Sequence, residues 1–331
     1  MKITIIGGGA WGATLALCLA DNGHQTLIYD INKSYVDTIN TNHVHPIFGV
    51  SLNNSIVATT NINKAIEFSN YILIALPTKF IRPELSKINK LLTRKSVFIN
   101  VSKGIEPETL KTVGQIVYDE IDKTKLYGYV ALTGPSHAED LIQRKMTLLV
   151  SASNNEDLAV EVQHLFSNES YLRVYTSVDV IGAEFGGATK NAIAVVSGML
   201  TGLDMGENAR AALITRGILE IVKVVKTMGG KEKTAFGLTG IGDLIVTASS
   251  ENSRNFKAGK KIGLGESIED IYGESNQTIE GVRSIEALHH LSLEYNLELP
   301  IISSAYEVIF NKKCAHEAIR ELISRELKSE N

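Results

Sequence analysis

The sequence has few of the residues that hold small extracellular or metal-dependent proteins together. Only two of its 331 residues are cysteines, Cys18 and Cys314, and both lie among apolar or helix-forming residues. Two isolated cysteines do not make a disulfide framework and are typical of a reducing compartment. His289 and His290 are adjacent, so on a helix their side chains point about 100° apart and make a poor chelate. We therefore expect neither a disulfide nor a metal site.

Long apolar runs and an excess of positive charge are also missing. The longest nearly apolar stretch covers residues 192–203, which is shorter than the roughly 20 residues of a membrane-spanning helix. The first residues lead directly into a strand-like run and a glycine-rich turn, unlike a signal peptide. The net charge is 33 − 37 = −4, whereas nucleic-acid phosphates require a basic surface. We expect a cytoplasmic protein with no integral membrane segment and no nucleic-acid partner.

The apolar patterns divide the chain into two halves. Up to residue 179, short and nearly continuous apolar runs alternate with helical patterns. Such strands are buried on both faces, which predicts a doubly wound, mostly parallel α/β sheet. Beyond residue 179 only helical patterns continue, so we expect domains at residues 1–179 and 180–331, the second all-helical. The predicted strands cover residues 2–7, 25–30, 56–60, 71–77, 96–102, 129–133, 147–151 and 171–175, and the predicted helices cover residues 11–22, 80–91, 107–121, 156–166, 181–203, 210–228, 279–295 and 302–310.

A glycine-rich loop lies between the first predicted strand and the first predicted helix. Residues 7–12 read GGGAWG and fit the pattern G-x-G-x-x-G. Gly7 would allow a tight turn, Gly9 would let the backbone approach a pyrophosphate, and Gly12 would let the helix pack close to the strand. The free N–H groups of the helix start favour phosphate. The loop predicts a Rossmann-like dinucleotide-binding domain, although by itself it also suits FAD or a methyl donor.

Asp30 ends the second predicted strand, 23 residues after Gly7. A carboxylate at this place accepts hydrogen bonds from the adenosine ribose hydroxyls and repels a 2′-phosphate, which favours NAD over NADP. The alternative is that Asp30 caps a helix that begins near Lys33. Because Lys33 lies within reach of a 2′-phosphate, NADP stays open as a second cofactor.

Polar side chains follow three further predicted strands, at the edge where open α/β sheets bind ligands. Thr78 follows the first of these strands. Lys103 follows the strand at residues 96–102, where an ammonium group would hold an anionic substrate or polarise its oxygen. A solvated loop lysine is the alternative, since most lysines are exposed. His137 follows the strand at residues 129–133, and here we favour a hydrogen-bonded surface histidine over a general acid.

Lys190 has unusual neighbours for a lysine. It lies in the segment FGGATKN at residues 185–191, directly before an apolar run at residues 192–196. Burial would disfavour the ammonium form and lower its pKa, which suits a proton donor and acceptor near neutral pH. The alternative is a lysine whose ammonium group reaches from a helix edge into solvent.

Two polar segments in the second half suit a phosphorylated small molecule. Asp243 ends the segment GLTGIGD at residues 237–243, and Ser253, Arg254 and Asn255 follow it. The arginine fork fits a phosphate, and serine and asparagine add neutral donors. The triplet alone is equally compatible with an ordinary loop.

Together these segments resemble NAD(P)-dependent glycerol-3-phosphate dehydrogenase of the soluble bacterial type, over essentially the whole chain. The most specific of them is NARAALITRG at residues 208–217. The others are GGGAWG at 7–12, SKG at 102–104, TGPSHA at 133–138, TKN at 189–191, GIGDL at 240–244, SRN at 253–255 and IEG at 279–281.

The resemblance implies a role for each matching residue. Lys190 would be the catalytic proton donor and acceptor, oriented by Asp243. The implied cofactor contacts are Ala10, Trp11, Lys103, Ala138, Arg254 and Glu280, and the implied substrate contacts are Lys103, Gly134, Ser136, Lys190, Asp243, Ser253, Arg254 and Asn255. The implied reaction interconverts sn-glycerol 3-phosphate and dihydroxyacetone phosphate with NAD(P) and supplies glycerol 3-phosphate for phospholipid synthesis. A homodimer is compatible with the resemblance.

The chain departs from the family pattern at two places, and two other functions stay open. Ala10 stands where relatives often have serine, and residues 30–32 read DIN where many have Arg or His, which again favours NAD. One alternative is a related reductase of the ketopantoate or 3-hydroxyacid type, against which residues 208–217 and 253–255 argue. The other is a non-catalytic NAD-sensing regulator, which would require neither Lys190 nor the phosphate-binding triplet.

Overall fold

A computed structural model describes residues 1–274, 278–326 and 329. In its first half, eight strands alternate with seven helices. The strands are β1 (Lys2–Ile6), β2 (Gln25–Tyr29), β3 (Ile56–Thr59), β4 (Tyr71–Ile74), β5 (Ser96–Asn100), β6 (Leu126–Thr133), β7 (Thr147–Ala152) and β8 (Leu172–Ser177). The helices are α1 (Ala10–Asp21), α2 (Lys33–Asp37), α3 (Ile62–Phe68), α4 (Ile81–Leu91), α5 (Val113–Glu120), α6 (Ala138–Leu141) and α7 (Glu156–Phe166).

The strands form one sheet in the order β3-β2-β1-β4-β5-β6-β7-β8. Strands β1 to β6 are parallel, β7 is antiparallel to β6, and β8 is parallel to β7. The carboxyl ends of β1, β4, β5 and β6 therefore lie side by side along one edge. The predicted Rossmann-like, mostly parallel sheet is confirmed, and this edge is where such sheets bind ligands.

Both faces of the sheet are buried. Along β1, Ile3 and Ile5 pack into one core cluster and Ile6 packs into the cluster on the opposite face. On β4, Leu73 joins the first cluster and Ile72 joins the second. The alternation explains why the strands are apolar runs rather than alternating apolar and polar positions.

Helices make up the second half, as the sequence predicts. They are α8 (Val180–Gly202), α9 (Gly206–Thr227), α10 (Glu232–Ala235), α11 (Asp243–Ala248), α12 (Arg254–Gly263), α13 (Ile268–Glu274), α14 (Glu280–Glu294), α15 (Pro300–Ile309) and α16 (Ala315–Ile323). Helix α8 is the centre of a third core cluster and is buried along almost its whole length. In the described part of the chain, no helix combines the length and the apolar character needed to cross a membrane.

Glycines allow α12 to lie directly against α8. A Cβ at Gly259 would lie 1.8 Å from the carbonyl oxygen of Val195, and one at Gly263 would lie 2.3 Å from that of Met199. Gly259 thus faces Val195, and Gly263, one turn later, faces Met199, one turn later on α8. The two helices therefore run in the same direction. This packing brings the start of α12 beside the middle of α8, where Lys190 lies.

The predicted helix at residues 107–121 is too long at its start. Pro107 lies in a turn, and residues 105 and 112 form an antiparallel bridge. Helix α5 begins at Val113, where Thr112 and Gln115 form a capping box. Proline at a helix start was a weaker signal here than the Thr-x-x-Gln pattern.

Candidate active site

The glycine-rich loop has the shape that a dinucleotide requires. Gly7 has a φ of 106°, and a Cβ there would lie 2.6 Å from the carbonyl oxygen of Ala75. A Cβ at Gly12 would lie 1.9 Å from the carbonyl oxygen of Gly7, so only glycine lets α1 start this close to β1. At Gly9, in contrast, a Cβ would meet nothing within 4 Å. The open space at Gly9 therefore leaves room for a phosphate group to approach the backbone.

The start of α1 is free to bind an anion. No side chain caps the helix at Gly9, and its first turn, which contains Ala10 and Trp11, has no acidic residue. The positive end of the helix dipole and the first-turn N–H groups thus face the glycine-rich loop. His45 approaches this turn, with its Nε2 3.2 Å from the carbonyl oxygen of Ala10.

The Asp30 carboxylate lies at the far end of the loop. Its Oδ2 accepts the Gly8 N–H at 2.6 Å and its Oδ1 accepts the Asn32 N–H at 2.8 Å. Each oxygen keeps a lone pair for a ribose hydroxyl. Helix α2 is capped by Asn32, whose side chain accepts the N–H of Ser34. The alternative that Asp30 is the cap of this helix is therefore wrong.

Two lysines meet at one buried carboxylate. Asp243, at the start of α11, is 1% exposed; its Oδ2 lies 2.5 Å from Lys103 Nζ and its Oδ1 lies 3.1 Å from Lys190 Nζ. Lys190 also donates to the Thr247 hydroxyl at 2.7 Å, and Lys103 donates to the carbonyl oxygen of Gly134 at 2.9 Å. Lys103 comes from the loop after β5 and Lys190 from α8, so the cluster joins the sheet edge to the helices.

Burial sets the charge balance of this lysine–aspartate cluster. It lowers the pKa of the Lys190 ammonium to about 8, against the attraction of Asp243, and the positive charge of Lys103 acts in the same direction as burial. Burial would raise the pKa of Asp243, but the two ammonium groups hold it below its usual range. Asp243 is thus ionised near neutral pH, while Lys190 can gain or lose a proton there.

The Ser253–Asn255 triplet begins α12. Ser253 caps the helix by accepting the Phe256 N–H at 3.2 Å. The Asn255 amide donates to Asn191 Oδ1 at 2.9 Å, and its oxygen accepts the Gly281 N–H at 2.9 Å. Arg254 is exposed between these two buried residues. The triplet therefore presents an exposed guanidinium group at the start of α12, and the charge of Arg254 opposes the rise in the pKa of Glu280.

Glu280 connects the helices to the sheet edge. It is the first residue of α14, and its carboxylate accepts the Thr78 N–H at 2.9 Å and the Thr78 hydroxyl at 2.5 Å. Burial raises the pKa of Glu280, although the hydrogen bonds from Thr78 and the charge of Arg283 oppose this shift.

The loop after β6 holds the remaining predicted residues. Gly134 has a φ of 139°, and its carbonyl oxygen accepts the hydroxyl of Ser136 at 3.0 Å. Ala138 begins α6 and is partly buried. His137 Nε2 lies 3.2 Å from the carbonyl oxygen of Val246, which is the satisfied histidine that we expect.

The sequence models of one family match both halves of the chain. The model described as NAD-dependent glycerol-3-phosphate dehydrogenase N-terminus matches residues 2–159, and the C-terminus model matches residues 179–320. A protein named glycerol-3-phosphate dehydrogenase [NAD(P)+] from Acholeplasma laidlawii is 61% identical over 330 residues, which covers 100% of this chain and 99% of that protein. This chain belongs to the NAD-dependent glycerol-3-phosphate dehydrogenase family.

Solved structures agree with membership in the glycerol-3-phosphate dehydrogenase family. A crystal structure of glycerol-3-phosphate dehydrogenase from Coxiella burnetii matches with a TM-score of 0.91 at 28% identity, covering 98% of this chain and 99% of that chain. A ketopantoate reductase from Ralstonia eutropha matches with a TM-score of 0.60 at 14% identity, covering 96% of this chain and 100% of that chain. The second likeness shows a shared fold alone.

The structure of this member of the glycerol-3-phosphate dehydrogenase family brings four of the predicted site residues into one cluster. Lys103, Gly134, Lys190 and Asp243 are joined by direct contacts. Gly7 to Gly12 and Asp30 form a separate group at the end of β1 and β2. The sequence predictions gave no role to Thr78, Thr247 or His45, since a threonine does not stand out in its segment and His45 lies outside the motifs.

Proposed function

We propose that this protein catalyses the NAD(P)-dependent interconversion of sn-glycerol 3-phosphate and dihydroxyacetone phosphate. The observation that carries the proposal is the buried cluster of Lys103, Asp243 and Lys190 at the carboxyl edge of the sheet that carries the glycine-rich loop. A bound nicotinamide supplies the hydride exchange with C2 of the substrate. The protein must orient the substrate and handle one proton.

Lys190 is the proposed proton donor and acceptor. In ketone reduction its ammonium group protonates the C2 oxygen as negative charge develops there, and in alcohol oxidation its neutral amine accepts the hydroxyl proton. Asp243 and Thr247 orient the amine by accepting its hydrogen bonds. Lys103 adds a second positive charge where the C2 oxygen becomes anionic.

The phosphate end of the substrate is proposed to bind at the start of α12. Arg254 is exposed there, and Ser253 and Asn255 flank it. Anchoring the phosphate at a distance from C2 converts binding energy into alignment of the reacting carbon. Gly134 and Ser136, from the loop after β6, are the proposed wall of the site opposite α12.

The residues at the glycine-rich loop support NAD as the preferred cofactor. Gly9, Ala10, Trp11 and Gly12 would offer backbone N–H groups to the pyrophosphate, and Asp30 would accept hydrogen bonds from the adenosine ribose. Ala138, Arg254 and Glu280 are the further cofactor contacts that we propose. NADP stays a second candidate, since Lys33 is exposed beside Asp30.

The wider setting of the protein follows from this activity. We place the domain boundary between residues 179 and 180, because β8 ends at Ser177 and α8 begins at Val180. We further propose a cytoplasmic homodimer without a nucleic-acid partner that supplies glycerol 3-phosphate for phospholipid synthesis. Cys18 and Cys314 are both free thiols, as in a reducing compartment.

The test is to mix the purified protein with dihydroxyacetone phosphate and either NADH or NADPH, and to follow the absorbance of the reduced nicotinamide. We expect oxidation of NADH, with slower oxidation of NADPH. Ketopantoate and a 3-oxoacid serve as comparison substrates, on which we expect no turnover. Failure to oxidise either cofactor with dihydroxyacetone phosphate, or faster turnover of ketopantoate, would overturn the proposal.

A further inference from the structure

Thr78 is a buried polar residue that the proposed chemistry does not yet use. It lies in the segment that follows β4, at the same edge of the sheet as the glycine-rich loop and Lys103, and it is only 3% exposed. Both of its hydrogen-bond donors point at one carboxylate, that of Glu280, which is 202 positions away in the sequence. Thr78, a neutral residue, thus determines where the Glu280 carboxylate lies at the edge of the sheet.

Gly104 packs closely against both Thr78 and Glu280. A Cβ at Gly104 would lie 2.7 Å from Thr78 Cγ2 and 2.8 Å from Glu280 Oε2. Since Gly104 directly follows Lys103, the Thr78–Glu280 pair lies beside the loop that carries the substrate-side ammonium group. The pair is therefore part of the active-site edge rather than a remote tie between elements.

We propose that Thr78 is a positioning residue for the cofactor, because it holds the Glu280 carboxylate oriented to accept ribose hydroxyl groups of the dinucleotide. The inference rests on the proposed function, which assigns Glu280 to the cofactor. A carboxylate oxygen has two lone pairs, so each oxygen that accepts a hydrogen bond from Thr78 can accept a second one. Hydroxyl groups match this site, since an ionised carboxylate would repel a phosphate.

The ligand chemistry parallels that at Asp30. There, two backbone N–H groups hold a carboxylate and leave its outer lone pairs free for a ribose. At Glu280, one backbone N–H and one hydroxyl do the same at the ends of β4 and β5. The two carboxylates lie at the ends of different strands of one sheet edge, as the two riboses of an extended dinucleotide require.

The test uses Thr78→Val, which keeps the shape and the backbone N–H but removes the hydroxyl, with Thr78→Ser as the matched control. NADH affinity is measured without substrate from the quenching of Trp11, the only tryptophan. We expect Thr78→Val to bind NADH about tenfold more weakly, because a hydrogen bond to a charged group is lost. Thr78→Ser should bind within about twofold of the wild type, and the KM for dihydroxyacetone phosphate should not change in either variant.

A double-mutant cycle separates positioning from a merely structural role. In a Glu280→Ala background, which removes both acceptor oxygens, Thr78→Val should weaken NADH binding no further, since Thr78 acts through Glu280. Wild-type NADH affinity in Thr78→Val, or the same loss with and without Glu280, would overturn the inference. Loss of thermal stability with unchanged NADH affinity would overturn it too. Because NADH binding is measured without substrate, a failure to reduce dihydroxyacetone phosphate would count against the proposed function and not against Thr78.

Discussion

Lys190 shows how polar partners allow a lysine to be buried in an apolar helix. It is 4% exposed, yet its ammonium group has the Asp243 carboxylate at 3.1 Å and the Thr247 hydroxyl at 2.7 Å. Burial without these partners would be far more costly than burial with them. These partners do not fully offset the burial of the ammonium group, so the pKa of Lys190 stays lowered. A lowered pKa suits proton transfer near neutral pH.

The pH dependence of the reaction should follow Lys190. Its pKa is lowered to about 8, so the ammonium form that donates a proton is lost as the pH rises through 8. We therefore expect kcat for ketone reduction to fall above this pH, and kcat for alcohol oxidation to rise. The measurement is kcat in both directions at saturating cofactor from pH 6 to pH 10. Parallel profiles for the two directions would contradict the proton role.

Asp30 should control the choice of cofactor. Asp30→Ala removes a ribose acceptor and a charge that repels a 2′-phosphate, so we expect the preference for NADH over NADPH to fall about tenfold. The measurement is the ratio of kcat/KM for the two cofactors. Asn32→Ala is the control, because it removes the cap of α2 but leaves the Asp30 carboxylate in place. If only Asn32→Ala changed the ratio, the specificity role of Asp30 would be wrong.

Single residues of the site were predictable only where their type was unusual for their surroundings. Lys190 stands out among glycines and alanines, and Asp30 stands out at a strand end. Thr247 and Asn191 are ordinary helix residues in the sequence, and only the folding of α8 against α11 and α12 gives them polar partners. Contacts between distant segments depend on packing, which a local pattern does not encode.

At the scale of elements, helix α8 connects the separate parts of the candidate site. Its first turns are tied to the start of α5 and to β6 by Glu184, whose carboxylate accepts hydrogen bonds from the Thr112 hydroxyl at 2.7 Å, from the Gly114 N–H at 2.9 Å and from the Tyr129 hydroxyl. Its middle carries Lys190, and its second half packs on α12. One helix thus connects the sheet edge, the proposed proton donor Lys190 and the Ser253–Asn255 triplet.

The close packing of α12 on α8 should be sensitive to one methyl group. In Gly259→Ala the new Cβ would lie 1.8 Å from the carbonyl oxygen of Val195, so α12 must move away. We expect a loss of about 1–3 kcal/mol in the free energy of unfolding, together with a raised KM for dihydroxyacetone phosphate. Chemical denaturation and steady-state kinetics measure the two effects.

The matched control is Gly273→Ala on α13, where a Cβ would meet nothing within 4 Å. There alanine should leave the stability unchanged or raise it slightly. Equal stabilities for the Gly259 and Gly273 variants would show that α12 does not depend on the close approach.

The larger elements were predictable and their ends less so. The buried strands and long helices follow from apolar runs and periodicity, and the predicted helix at 181–203 differs from α8 by one residue at each end. The antiparallel direction of β7 was not predicted, since apolar runs carry no strand direction. The predicted start of α5 was wrong because proline suits a turn as well as a helix start, and Pro107 lies in a turn.

At the scale of the whole molecule, an acidic chain must bind two anionic ligands. In the proposed sites, the net charge of −4 is offset locally by Lys103, Lys190 and Arg254, and by the free N–H groups of α1. Backbone N–H groups add positive potential without adding net charge. The position of charge, and not its total, therefore decides what this protein binds.

The central claim is that Lys190 transfers the proton in a site formed by the sheet edge and α8. The most direct measurement compares dihydroxyacetone phosphate reduction by the wild type and by Lys190→Ala, with NADH binding checked by Trp11 quenching. We expect kcat to fall about 10²- to 10⁴-fold while NADH still binds. Lys87→Ala, which changes a lysine that is 65% exposed, should keep full activity. Wild-type kcat in Lys190→Ala would contradict the account.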